Sequence, residues 1–243
     1  LSTYEIRPAG RHVLTIGEDL IQDQYAAIVE LVKNCYDADS PDAVILFRKI
    51  TEKDCLEICV EDHGHGMSTK DIISKWLVPS TDYKLSSRIS PLGRTMQGRK
   101  GIGRYAASLL GDDLELHTVD ATGVETTLYI QWHQLAQYQY LDQIQIPVKT
   151  KQTNQKSGTV LIMRSQLSEN SFWNKKAFKK LRFELKKLIP PKEDGTVDPD
   201  FKVILEFDNF FPNENENTRE VIEPYPILEF YDYRISGNVS SDG

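Results

Sequence analysis

The sequence predicts an α/β (α+β) two-layer sandwich in which a mixed β-sheet is covered on one face by helices. Three observations carry this expectation. Helical and strand periodicities are intermixed along the chain rather than segregated. Neighbouring strand-like runs are separated by short polar turns, as in open hairpins. The two long helical segments each pair an apolar side with a charged one, so each can cover a sheet face.

Tyr4–Leu14 contains Pro8 and Gly10 and reads as an extended arm or short strand pair. A helix is expected from about Glu18 to Asp37, ended at Ser40-Pro41, because the residue before proline disfavours the helical region. Ala43–Ile50 and Leu56–Val60 alternate as strands around the polar turn 51–54. Asp62–Met67 is a glycine-containing turn and Thr69–Trp76 a short helix. The stretch 77–99 carries Pro79, Pro91 and Gly93 and is irregular; a loop of that length inside a compact domain is expected to be a lid or disordered. Gly101–Leu110 enters a helix, with Gly111 placed to stop it. Strands follow at Leu114–Val119, Glu125–Trp132 and Gly158–Met163. Lys175–Leu188 is a basic amphipathic helix closed by Pro190-Pro191, Phe201–Phe207 a strand, and the acidic, Asn-rich Asn209–Glu223 a loop. Residues 1–223 are read as one domain, and Tyr225–Asn238 as strands opening a following domain within 224–243. A leading Leu1 and a tail ending in Gly243 suggest a fragment.

Composition narrows the function classes. A hydrophobic share of 40% and a charged share of 27% are those of an ordinary intracellular globular protein, and a cytoplasmic location is expected. No apolar run reaches membrane-spanning length, and no membrane association is expected. The net charge of −7 excludes nucleic-acid binding by bulk electrostatics. The three cysteines form no scaffold pattern, as expected in a reducing compartment. Cys55 and Cys59 lie four apart on a strand, roughly 13 Å, too far to share a metal ion.

Three segments carry chemistry. On the first helix, Glu30, Asn34 and Asp37 fall within a stripe about 60° wide, opposite Ile21, Tyr25, Ile28, Val32 and Cys35. Such a stripe is a solvated face or a device: one carboxylate to polarise water, a neutral amide oxygen for Mg²⁺, and a second carboxylate nearby. In Glu61–Met67, Asp62 continues the buried parity of Leu56, Ile58 and Val60. A carboxylate on that face needs a partner, which a turn amide or a purine amino group would supply. Gly64 and Gly66 would let backbone approach the ring; His63 and His65 are turn residues. In Gly98-Arg99-Lys100-Gly101-Ile102-Gly103-Arg104, glycine-rich backbone enters a helix N-terminus, where N–H groups and the helix dipole favour phosphate. The spacing is neither that of a Walker A loop nor of a dinucleotide fingerprint. Gly158-Thr159 at a strand start is ordinary β-structure, or it places a hydroxyl beside Asp62.

The order Glu30/Asn34/Asp37, Asp62-x-Gly64-x-Gly66, Gly98-x-x-Gly101-x-Gly103 and Gly158-Thr159 resembles the GHKL superfamily of ATPases over about residues 18–165. That superfamily includes gyrase B, the ninety-kilodalton heat-shock chaperone, histidine kinases, MutL and MORC proteins. The phrase Leu31–Asp39 leans toward MORC-like and chaperone-like members. The resemblance implies an ATP site between helices and a mixed sheet under a lid at about 77–99. By position, Glu30 would be the general base, Asn34 the Mg²⁺ ligand and Asp37 a support to that network. Asp62 would accept from the adenine amino group, with Gly64, Gly66 and Met67 lining the purine pocket and Thr159 beside them. Gly98, Lys100, Gly101, Ile102 and Gly103 would meet the phosphates, and Lys84 resembles a lid lysine of MORC-like members.

The glutamate one turn before Asn34 implies hydrolysis by water rather than histidine phosphorylation. The expected activity is a slow ATPase that drives conformational change or ATP-gated homodimerisation, completed by a Lys or Arg from a following domain. The competing expectation is a nucleotide sensor without efficient hydrolysis. Residues 172–188 are a possible contact for nucleic acid or a client protein; a solvated face opposite a packed one is the simpler account.

Overall fold

The computed structural model describes residues 3, 6–12, 14–15, 21–78, 88–98, 103–168, 170–189 and 201–225. Helix α1 spans Gln24–Asp37. It begins later than its periodicity predicts because Asp23 is extended and caps it, its carboxylate accepting the Ala26 N–H at 2.9 Å. It stops where Ala38 donates its N–H to the Asn34 carbonyl and Asp39 turns into the left-handed region at φ 58°. Ile21, Tyr25, Ile28, Val32 and Cys35 are buried as expected, joined by Ala27 and Leu31 and also by Asp37 from the polar stripe.

Eight strands form one mixed sheet: β1 Asp42–Ile50, β2 Cys55–Asp62, β3 Asp113–Val119, β4 Val124–Gln131, β5 Val148–Gln152, β6 Gly158–Gln166, β7 Lys202–Asp208 and β8 Arg219–Val221. Their order is β5-β4-β3-β6-β2-β1-β7-β8. β1 and β7 pair in parallel; the remaining neighbours are antiparallel. β8 falls within the predicted loop 209–223, and β5 in a stretch to which the sequence reading assigns no element. Both are edge strands, short and polar, so neither shows the hydrophobic alternation of a half-buried strand.

Helix α2 is a single turn, Thr69–Asp71, that widens into a π-helical turn at Ile72–Trp76. Gly103–Leu109 is a 3-10 helix rather than the α-helix expected there. Gly111 lies beside the backbone of Arg164, where a Cβ would come within 2.6 Å of its amide nitrogen, so it serves a close approach to β6. Helix α3, Trp132–Leu135, follows β4, and helix α4 spans Lys175–Lys186. Of the segment expected to open a second domain, residues 226–243 lie outside the described residues.

The period-two alternation gives the sheet two unlike faces. On one, Ile45, Phe47, Leu56, Ile58, Leu114, Leu116, Met163 and Leu205 meet buried residues of α1, α4 and the 3-10 helix. Phe178 of α4 sits at its aromatic centre, with ring centroids 4.9 Å from Phe47, 4.7 Å from Phe207 and 5.1 Å from Phe210. The other face carries a ladder of paired polar and charged side chains across seven strands. Asp208 pairs with Arg48 at 2.6 Å, Arg48 with Glu57 at 3.2 Å, Glu57 with Arg164 at 3.0 Å and Arg164 with Glu115 at 2.9 Å. The ladder continues from Glu115 to His117 at 2.7 Å, from His117 to Glu125 at 3.4 Å and from Glu125 to Lys151 at 3.0 Å. Exposed pairs are worth at most about 1 kcal/mol each, so the ladder's main effect is to set opposite charge beside the buried carboxylates Glu57 and Glu125.

Replacing Phe178 by Ala should therefore cost about 3–5 kcal/mol, the range for a fully buried aromatic. A urea-unfolding midpoint that fails to fall would contradict this placement of the core.

Candidate functional site

The C-terminal turn of α1 lies against the end of β2. Gly64 packs so closely on it that a Cβ there would sit 2.3 Å from the Ala38 carbonyl oxygen. That carbonyl also accepts the His65 N–H at 3.0 Å. The buried Ser40 hydroxyl accepts the His63 N–H at 2.8 Å and donates to the Asp42 carbonyl at 2.6 Å. The end of the helix and the turn, predicted separately, are thus joined. Along the stripe, Glu30 and Asn34 are half-buried and Asp37 is only 4% exposed. Lys33 sits beside the stripe, its ammonium 2.7 Å from Glu30 Oε1.

Asp62 occupies the core-facing parity at the end of β2, opposite Thr159 of β6, and is 8% exposed. Its Oδ1 accepts the Gly64 N–H at 2.9 Å. Burial pushes its pKa up from 3.8 to about 6, against a downward pull from the Gly64 and Thr159 amides and the two flanking histidines. Gly66 has φ 64°, and a Cβ there would sit 1.9 Å from the Val119 carbonyl oxygen, so the turn requires glycine twice over. The half-buried Met67 follows, its N–H donated to Thr118 Oγ1 at 2.8 Å. Thr118 Oγ1 also donates toward the Gly158 carbonyl at 3.1 Å and lies 3.0 Å from Thr159 Oγ1. The histidine rings are engaged locally, His63 Nδ1 with Asp42 at 2.7 Å and His65 Nδ1 with the Gly66 carbonyl at 2.7 Å, in keeping with turn residues.

The segment 88–98 is bound to the same helix end. Asp37 Oδ1 accepts the Gln97 N–H at 2.7 Å, and its Oδ2 accepts the Gly98 N–H at 3.0 Å. Asp39 accepts from the Ser90 hydroxyl at 2.5 Å and the Leu92 N–H at 3.0 Å. In return Arg94 donates to the Ser40 and Tyr36 carbonyls at 2.6 and 3.2 Å and lies over the Tyr36 ring. Gly98 is therefore held at the end of the stripe, and Gly103 opens the 3-10 helix that packs on α1. Lys84, Lys100, Gly101 and Ile102 lie outside the described residues.

Lys33, Ser40, Arg94 and Thr118 escape the sequence reading. Lys33 alone had a readable signal, three residues after Glu30 on the same helix edge. In the basic segment 172–188, several cations are engaged within the chain. Lys175 pairs with Glu216 at 2.6 Å, Lys180 with Asp23 at 3.3 Å, Arg182 with Glu220 at 2.6 Å and Lys187 with Glu184 at 2.7 Å.

The raised Asp62 pKa has a consequence for stability. A carboxyl group that holds its proton more tightly when folded stabilises the fold fully below about pH 4, and that contribution is lost as pH rises through about 6. The term is on the order of 3 kcal/mol. Asp62→Asn should remove this part of the stability–pH profile between pH 4 and 6, read from urea midpoints; an unaltered profile would contradict the burial argument.

Comparison with known proteins adds the family. The family model "Histidine kinase-, DNA gyrase B-, and HSP90-like ATPase" matches residues 23–161. A protein of Herpetosiphon aurantiacus named "Putative type II restriction enzyme HgiDII" is 29% identical over 117 residues, 48% of this chain and 18% of that protein. A solved structure titled "Crystal Structure of N terminal domain of a DNA repair protein" aligns with 86% of this chain and 54% of its own at 19% identity and a TM-score of 0.47. The chain thus spans a minor part of that relative and about half of that structure. No helix among the described residues is long and apolar enough to cross a membrane. With more than half of its length matched by the family model, and with the mixed sheet and helix layer that the resemblance implies, the chain belongs to the histidine kinase-, DNA gyrase B- and HSP90-like (GHKL) ATPase family.

Proposed function

We propose that this domain binds ATP with Mg²⁺ and hydrolyses it slowly, with the site running from Asp62 at the base end to Glu30, Asn34 and Gly98 at the phosphate end. The observation that carries the reading is that the Asp62 turn and Gly98 both attach to the C-terminal end of the helix that carries Glu30 and Asn34, with the buried Asp62 carboxylate bordered by two obligatory glycines. Asp62 accepts one N–H from its own turn, and an ionised carboxylate has further acceptor capacity for an exocyclic amino group. Adenine offers that donor. Guanine offers a carbonyl at the same place and would be repelled. Gly64, Gly66, Met67 and Thr159 surround this position on the turn and the facing strand.

The donor set at the other end suits Mg²⁺, which takes oxygen ligands and retains water when few protein groups are offered. Asn34 would hold it through its amide oxygen, and the ion would offset the charge of the phosphates. Glu30 orients and deprotonates the attacking water. Lys100, Gly101, Ile102 and Gly103 meet the phosphates through backbone and charge, Lys84 adds a lid contact, and residues 77–99 are the lid over the nucleotide. The full-length protein couples this cycle to homodimerisation or another conformational change, in the cytoplasm, with a cation from a neighbouring domain completing the site. The ion pairs along α4 support a covering role for that helix rather than a nucleic-acid or client surface.

The Lys33–Glu30 pair favours one second reading, a nucleotide sensor. The ammonium 2.7 Å from Glu30 Oε1 occupies one of the two oxygens through which a base would meet water. Single-turnover hydrolysis separates the two readings, since a sensor returns ATP intact.

Glu30→Gln should lower turnover at least about 100-fold, as for loss of a general base, while ATP affinity stays within about threefold. Equal turnover in the variant would remove Glu30 from the chemistry. Asp62→Asn should weaken ATP about tenfold or more, the effect of losing a charge-assisted hydrogen bond. Wild-type affinity should rise with pH through about 6 as Asp62 ionises; a flat affinity profile across that range would contradict the role of Asp62.

A further inference from the structure

The resemblance places Asp37 in the Mg²⁺ network, but its contacts point elsewhere. Its carboxylate is almost fully withdrawn from water, and each of its two oxygens accepts a backbone amide, Gln97 at 2.7 Å and Gly98 at 3.0 Å. A buried carboxylate is tolerated when hydrogen bonds replace its hydration, and two backbone N–H groups on separate oxygens do this without a metal ion. We infer that Asp37 is a positioning residue that fixes the main chain at Gln97–Gly98, and so sets affinity for the phosphate end of a nucleotide independently of Mg²⁺. The inference rests on the ATP reading above and assigns Asp37 a different part in it.

The neighbouring contacts support this assignment. A segment tied at one point could pivot, but 88–98 is tied to the same helix end along its length. Asp39 holds Ser90 and Leu92, Arg94 grips the Ser40 and Tyr36 carbonyls, and Asp37 holds the last two amides. The segment is also braced internally, with an antiparallel bridge between Ile89 and Thr95 and the Ser90 N–H donated to the Arg94 carbonyl at 2.8 Å. The contacts are reciprocal, helix carboxylates on segment donors and a segment guanidinium on helix carbonyls, so helix and segment constrain one another. Asp37 is the contact nearest the phosphate end, and Gln97 is itself exposed, so what Asp37 grips there is backbone.

Two variants and one wild-type measurement test the assignment. Asp37→Asn keeps the side-chain shape but can accept through only one oxygen. Gln97→Pro removes one donor from an exposed residue and leaves the helix intact. Calorimetric titrations with ATP, ADP and adenosine are run for each, with Mg²⁺ and with EDTA. Both variants should weaken ATP and ADP about tenfold in either buffer and leave adenosine within about twofold. A loss confined to Mg²⁺ buffer would return Asp37 to the metal network, and an equal loss for adenosine would make it a general fold residue; either overturns the inference. In ligand-free wild-type protein the Gln97 and Gly98 amides should exchange with solvent at least tenfold more slowly than unprotected amides, and unprotected exchange also overturns it. Should wild-type protein bind no nucleotide, the ATP reading fails, and the exchange rates still decide whether Asp37 holds the segment.

Discussion

The structure depends on the close packing of the C-terminal turn of α1 against the end of β2. With no Cβ at Gly64, the chain there reaches the Ala38 carbonyl, which is capped in turn by the His65 amide. Ser40, fully buried, ties the same turn to His63 and to the start of β1. A larger residue at 64 would push helix and strand apart, since its nearest neighbours are the carbonyl and Cβ of Ala38, which cannot rotate away. The α1 C-terminus thereby becomes a hub, with the Asp62 turn on one side and the segment 88–98 on the other.

Three carboxylates around this hub, similar in sequence context, have been given different work by their surroundings. Asp62 is buried at a strand end and is pushed up to about 6, so its carboxyl group changes charge a little below neutral pH. Asp37 is buried as deeply but has two amides in place of water. Glu30 is half-buried and faces an ammonium. Spacing along a helix puts such groups on one edge; the donor that reaches each of them decides what it can do.

The layer order, most strands and the packed side of α1 were legible because hydrophobic periodicity reports burial directly. The β5 and β8 edges were not, because an edge strand with solvent beside it needs no apolar alternation: Val148–Gln152 has one apolar residue, and Arg219–Val221 has three residues in all. The glycine turn around Asp62 was legible from parity, since a charge that continues a buried face requires a partner. The partner of Asp37 was not, because Gln97 and Gly98 lie sixty residues away and contribute only backbone, which leaves no trace in residue type. Thr118 looked like any strand threonine; only the register of β3 on β6, which sets it opposite Thr159, shows that its hydroxyl links Met67 to Gly158.

The central claim is that one helix turn couples base recognition to the phosphate end. A crystal structure of the protein soaked with Mg²⁺ and a non-hydrolysable ATP analogue tests it most directly. The account predicts the adenine amino group within about 3 Å of the Asp62 carboxylate, a hydrogen-bond distance, with Gln97 and Gly98 still on Asp37 and the phosphates beside Gly98. A nucleotide bound away from Asp62, or phosphates approached with the Asp37 contacts broken, would contradict it.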